Sequence, residues 1–214
     1  PNYLLDLPKF GCINIHVSLL PRWRGASPIE HSLMYGDTKT GITIFKLVEK
    51  MDAGPIIASK SIDIDKNIIK DILIKKLNLL GIDLLISVVP KIINKTIKLK
   101  HQNESKATYA IKISTEMRKL NFYDDVTMID NKIRAFSHKP ACWFFYNNER
   151  IKIIESSYSL GEFNASTILN DEFHIGCKNG KICPRIIQIE GKKPMDIKHF
   201  LRGFKFTVGS TINA

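Results

Sequence analysis

An α/β domain followed by a small β-barrel is the fold class that these 214 residues predict. Three observations predict it. The first hundred residues combine period-two runs with a long stretch of helical periodicity. Residues 101–106 (H-Q-N-E-S-K) are the most polar run without periodicity, and they centre a linker read over residues 101–110. Beyond it, short β-branched and aromatic runs recur at regular spacing between Asn and Gly turns, the pattern of a barrel or sandwich. The chain thus divides into 1–100, 101–110 and 111–214.

Each element has a local reason. Residues 11–18 (G-C-I-N-I-H-V-S) alternate strictly, which reads as a strand with Ile13, Ile15 and Val17 on one face and Asn14, His16 and Ser18 on the other. Ser27-Pro28 supplies an N-cap and a first-turn proline for a short helix that Gly36 ends. Residues 43–48 and 56–64 are rich in β-branched side chains and read as two strands, turning through Asp52-Ala53-Gly54. From residue 67 to 98 apolar residues recur at helical spacing, with Gly81 and Pro90 predicting two helices or one broken helix. In the second half a short helix is read at 128–136, strands at 143–146, 151–156, 173–177 and 182–190, and a last helix at 195–201.

Composition excludes several classes. Hydrophobic content of 44% and charged content of 25% are ordinary globular values, so disorder and low complexity fall away. The longest apolar run, residues 84–90, is far short of the roughly 20 residues that a membrane span requires. No signal peptide is read in the first six residues, and no membrane partner is expected. Cys12, Cys142, Cys177 and Cys183 form no Cys-x-x-Cys pair, so neither zinc nor redox chemistry is expected and reduced thiols in a cytosolic protein are. The net charge of +11 comes from 25 Lys and 7 Arg beside 33 Ile, a usage that AT-rich coding also produces. The excess is spread evenly, 15 basic against 9 acidic in residues 1–100 and 17 against 12 in the rest, which suits a polyanion such as RNA.

The polar face of the first strand carries the chemistry. Solvated strand faces usually hold Lys, Glu or Thr, whereas Asn14, His16 and Ser18 are hydrogen-bonding groups suited to a pocket. The strand runs into Leu19-Leu20-Pro21-Arg22-Trp23-Arg24-Gly25 and then a helix start, the place where open α/β sheets bind ligands. A Ser-His-Asp hydrolase triad is disfavoured, since His16 and Ser18 share one strand and no Gly-x-Ser-x-Gly elbow exposes the serine.

Asn14-x-His16-x-Ser18-Leu19-Leu20-Pro21, then Arg24-Gly25 and Met51-Asp52-Ala53-Gly54-Pro55-Ile56, resembles the signature of the formyl-tetrahydrofolate-dependent formyltransferase family. The resemblance implies that the first hundred residues are the later half of that family's nucleotide-fold catalytic domain, and that the barrel is OB-like. It implies Asn14, His16 and Asp52 as catalytic residues, and Ser18, Leu19, Leu20 and Pro21 as the segment touching formyl-tetrahydrofolate, without a metal. It also suggests a cis Leu20-Pro21 bond.

The continuation through Lys106-Ala107-Thr108-Tyr109-Ala110, Ile133-Arg134-Ala135-Phe136 and Pro140-Ala141-Cys142-Trp143 is similar to members that formylate initiator methionyl-tRNA for translation initiation. Pro21 to Ile29 (P-R-W-R-G-A-S-P-I) fits the same members. Sugar-nucleotide and glycinamide ribonucleotide formyltransferases are the alternatives, beside a non-catalytic remnant that binds RNA. A cytoplasmic monomer is expected, with Lys106, Lys112, Arg118 and Lys119 as candidate phosphate contacts. Two departures stand out. The chain begins with Pro1, and roughly 90 to 100 residues of the family's pattern lie before the matching segment, a large share of one domain. Asn121-Phe122 replaces an Asp-Trp pair.

Overall fold

The computed structural model describes residues 2–212; Pro1, Asn213 and Ala214, the outer ends of the predicted segments, lie outside them. The chain forms two compact units, Pro1–Ser32 with Asp37–Lys112 and Leu33–Gly36 with Ile113–Ala214.

In the first unit, a short helix α1 (Asn2–Asp6) precedes β1 (Ile13–His16), β2 (Arg24–Gly25), α2 (Pro28–Met34, its last two residues counted with the second unit), β3 (Lys39–Lys46), β4 (Ile56–Asp63) and α3 (Lys70–Ile93), and β5 (Tyr109–Ala110) closes it. β1, β3 and β4 make an antiparallel sheet with β3 in the centre, pairing Ile15 with Ile44 and His16 with Thr43. All three strands were legible, but β1 is four residues rather than eight and β3 begins four residues earlier, at Lys39. The added stretch contains Gly41. This glycine is needed because a Cβ there would come within 2.2 Å of the Lys60 carbonyl oxygen on β4.

α3 is one continuous helix of 24 residues, not two. A Cβ added at Gly81 would meet Ile42 and Ile15 at 3.7–3.8 Å, an ordinary contact, so the glycine marks neither a break nor a close approach. Pro90 falls in the last turn, where its missing N–H removes a single bond close to the helix C-terminus. Leu73, Leu77, Leu80 and Val88 are buried, while Ile72, Leu79, Ile82 and Ile86 on the other side are exposed, so the helix is apolar on two faces.

The second unit is β-rich. α4 (Val126–Ala135) precedes β6 (Cys142–Tyr146), β7 (Glu149–Leu160), β8 (Ile175–Cys177), β9 (Gly180–Ile189), β10 (Met195–Asp196) and α5 (Ile197–Gly203). The strands form one antiparallel sheet in the order β10-β9-β7-β6, with β8 also on β9. β7 slips register twice against β9, around Glu155, and such bulges bend a strand. Asn147 and Asn148 both take positive φ (48° and 63°), the left-handed pair that a two-residue hairpin turn demands. The predicted short helix begins two residues early because the Asp125 carboxylate caps it, accepting from the Thr127 N–H at 2.9 Å. The predicted last helix instead opens as strand β10, and its Asp196 caps α5.

Phe173 is the hub of the second core, with Phe200 at 5.2 Å and Phe206 at 5.0 Å between ring centroids. Phe122, standing where the family pattern led us to expect Trp, is buried edge-on against Phe144 at 5.2 Å. The four cysteines are free thiols, and burial pushes those of Cys142 and Cys177 up to about 12. No helix of the described residues is long and apolar enough to cross a membrane.

Candidate active site

His16, the last residue of β1, is 6% exposed. Its Nε2 lies 2.8 Å from the Trp23 carbonyl oxygen. A carbonyl only accepts, so Nε2 carries the hydrogen and the neutral ring leaves a bare lone pair on Nδ1. That lone pair stands 3.7 Å from Asp52 Oδ2. A proton taken up at Nδ1 would lie between the imidazole ring and the Asp52 carboxylate, with Nε2 still on the Trp23 carbonyl.

The Trp23 carbonyl is held by a tight loop. Ser18 Oγ donates to the Arg22 carbonyl at 2.6 Å. Thr43 Oγ1 on β3 donates to the Ser18 carbonyl at 2.7 Å and accepts the Leu20 N–H at 3.1 Å. The Leu20-Pro21 bond is cis, as the resemblance suggested. Trp23 takes a left-handed φ of 61°, with its N–H on Thr108 Oγ1 and its indole N–H on Asp37 Oδ2 at 2.7 Å. Arg22 grips the same Asp37 through two hydrogen bonds and lies over the Trp23 ring at 4.3 Å, and the Asp37 carboxylate raises the Arg22 pKa.

Asp52 sits in the loop between β3 and β4 with φ 50°, and its Oδ2 accepts the Gly25 N–H at 2.7 Å. Gly54 cannot be replaced freely, since a Cβ would fall 1.7 Å from the Lys46 carbonyl oxygen. Behind this loop the Arg24 guanidinium is fully buried, bonded to Gln102 Oε1 and to both oxygens of Glu104. The Arg24 guanidinium, helped by the Lys50 ammonium, holds the Glu104 carboxyl down at about 2. Gln102 Nε2 donates to the carbonyls of Asp52 and Gly54, each at 2.8 Å.

The structure therefore brings His16 and Asp52 together. Asn14 lies two residues earlier on β1, exposed, with its amide unpaired among the described residues. Of the segment 18–21, Ser18 and Leu20 are buried, with the Ser18 hydroxyl and the Leu20 amide engaged inside the loop, while Leu19 and Pro21 are half-buried. Sequence reasoning marked the Arg-Trp-Arg run but missed its partners Asp37, Gln102, Glu104 and Thr108. No local signal exists for them, since Gln102 and Glu104 stand 78 and 80 residues from Arg24. Lys106 and Lys112 are exposed, whereas Arg118 donates to the Ala141 carbonyl and Lys119 lies 5.9 Å from the Trp143 ring. Among the described residues, no group of three or more His, Cys, Asp or Glu could hold a metal ion.

The family described as formyl transferase matches residues 1–89, and formyl transferase, C-terminal domain, matches residues 112–205. A methionyl-tRNA formyltransferase of Anaplasma marginale is 40% identical over 216 residues, covering 99% of this chain and 69% of its own. One of Wolbachia pipientis is 41% identical over 205 residues, covering 96% of this chain and 67% of its own. The chain thus spans about two thirds of the length of these relatives. Among solved structures, an N-formyltransferase of Helicobacter canadensis, in complex with folinic acid and dTDP-3-aminofucose, superposes with a TM-score of 0.65 at 25% identity, over 80% of this chain and 65% of that one. With both family matches on one chain and 40% identity along nearly all of it, the chain belongs to the formyltransferase family, among the methionyl-tRNA formyltransferases.

Proposed function

We propose that the protein transfers a formyl group from formyl-tetrahydrofolate to the α-amino group of methionine on initiator tRNA. The observation that carries this reading is the His16–Asp52 pair, with the imidazole fixed so that Nδ1 is the atom able to take a proton. The amine nitrogen attacks the formyl carbon, and the carbonyl oxygen becomes an oxyanion. The unpaired Asn14 amide on the same strand is the donor for that oxygen, an effect on the order of 3 kcal/mol in comparable sites. His16 takes the proton that the amine loses and returns it to the folate nitrogen as the carbon–nitrogen bond to the folate breaks. Asp52 stabilises the imidazolium in between. Ser18, Leu19, Leu20 and Pro21 form the loop against which the folate packs, and their fixed geometry supports a preorganised wall.

We assign tRNA contact to the second unit, read as an OB-like barrel, and a cytoplasmic monomer to the working state. The curated relatives at about 40% identity support methionyl-tRNA over an amino-sugar nucleotide or glycinamide ribonucleotide as acceptor. The test offers these three acceptors with formyl-tetrahydrofolate to the protein as the cell makes it. Transfer to methionyl-tRNA alone is expected; transfer to another acceptor, or to none, would overturn the reading. Binding of the tRNA should weaken steeply with added salt, as phosphate contacts require.

A further inference from the structure

We infer that Gln102 is a positioning residue for Asp52, locked in that role by the buried Arg24 guanidinium. The inference rests on the reading of Asp52 as the partner of His16 and adds a residue far from it in sequence.

The amide of Gln102 is saturated. Its Oε1 accepts from Arg24 Nε at 3.1 Å and Nη2 at 2.8 Å, and its Nε2 donates to the carbonyls of Asp52 and Gly54. The amide has one allowed orientation, because guanidinium groups only donate and carbonyls only accept. No other side chain of this size does both: a Glu has no hydrogen to give, and a Lys or Arg has no oxygen to offer.

What is held matters for the chemistry. Asp52 occupies the left-handed region at φ 50°, which a non-glycine residue keeps only when its surroundings hold it there. Its main chain is gripped by Gln102 and its side chain by the Gly25 N–H. Both grips originate in the dipeptide Arg24–Gly25, one through a side chain and the other through the backbone. Glu104 and Lys50 complete the frame: Glu104 binds Arg24, and Lys50, two residues before Asp52, binds Glu104 at 2.5 Å. Residues 102 and 104 therefore act as a latch on the loop that carries the carboxylate facing His16.

β2 contains a built-in reporter. The N–H groups of Arg24 and Ala26 donate to the Thr108 and Ala110 carbonyls, whereas the Gly25 N–H turns the other way, onto Asp52 Oδ2. Hydrogen exchange read by NMR on this chain tests the latch without any activity. In Gln102→Ala, the Gly25 amide should exchange about tenfold faster, from the loss of two modest hydrogen bonds, while Arg24 and Ala26 change less than about twofold. Gln102→Glu, which keeps the volume and the Arg24 contact but cannot donate, should show the same selective loss. Unchanged Gly25 exchange, or equal acceleration of all three amides, would overturn the inference.

In the active enzyme, Gln102→Ala should lower kcat by roughly ten- to a hundredfold with KM little changed. In an Asp52→Asn background it should lower kcat no further, as for residues acting through one another. An additive loss would overturn the latch. Full turnover in Asp52→Asn alone would instead sink the functional reading, leaving the Gly25 result to stand by itself.

Discussion

The two units bury different things. Around the site, the deepest side chains of the first unit include Arg24, Thr43, Ser18 and His16, all polar. The second unit buries Phe122, Phe136, Phe144, Phe173 and Phe200. Aromatic area removed from water stabilises without specifying any one atom's place. A buried polar group costs free energy unless each of its hydrogen bonds is made, so the arrangement that satisfies them all is nearly unique. The first unit sets a buried polar network beside an apolar core that includes Ile42, Ile44, Phe45, Leu73 and Leu77, and the second is arranged around a cluster of phenylalanines.

The sharpest test of that contrast is His16→Ala or Asp52→Ala. Either should lower formyl transfer by roughly 10² to 10⁴, while stability falls only by the about 1–3 kcal/mol of one stranded partner, the Trp23 carbonyl or the Gly25 N–H; loss of the whole fold would erase the distinction between the units. Phe173→Ala should do the reverse. It should cost about 3–5 kcal/mol in urea unfolding, with the transfer rate per folded molecule unchanged. Thr43→Val sits between them, since it strands the Ser18 carbonyl and the Leu20 N–H. It should cost about 1–3 kcal/mol and also raise KM for the folate, through the loosened loop.

The smallest effect concerns Glu104. Its carboxyl is held at about 2, below its ordinary value near 4.5, so the ion pairs to Arg24 and Lys50 are fully stabilising above pH 4.5 and are lost as pH falls toward 2. An NMR carboxyl titration should find the midpoint near 2 in the native chain. Lys50→Met should move it upward, and an ordinary midpoint in the native chain would contradict the network.

Much of this was legible before any coordinates. Alternation in residues 11–18 located β1 and placed Asn14, His16 and Ser18 on one side. The Met51–Ile56 run located the loop of Asp52. Aromatic and β-branched runs located β6 to β9. What local reasoning misjudged were residues whose ordinary meaning is punctuation. Gly81 and Pro90 read as breaks, yet both lie inside α3, because Gly81 meets only ordinary contacts and Pro90 falls in the last turn. Met195 and Asp196 read as helix, yet they pair with Ile187 and Ile186 on β9.

By itself, the sequence determined most of the longer elements and which residue types meet at the end of β1, since periodicity and motif spacing are properties of near neighbours, while the two-residue strands β2, β5 and β10 and the short α1 went unread. Only the tertiary structure decided which nitrogen of His16 carries its hydrogen, why Trp23 and Asp52 take left-handed backbones, and that Gln102 and Glu104 close on Arg24. Those outcomes depend on hydrogen bonds between residues up to 85 positions apart, and such pairs leave no periodic trace in the chain.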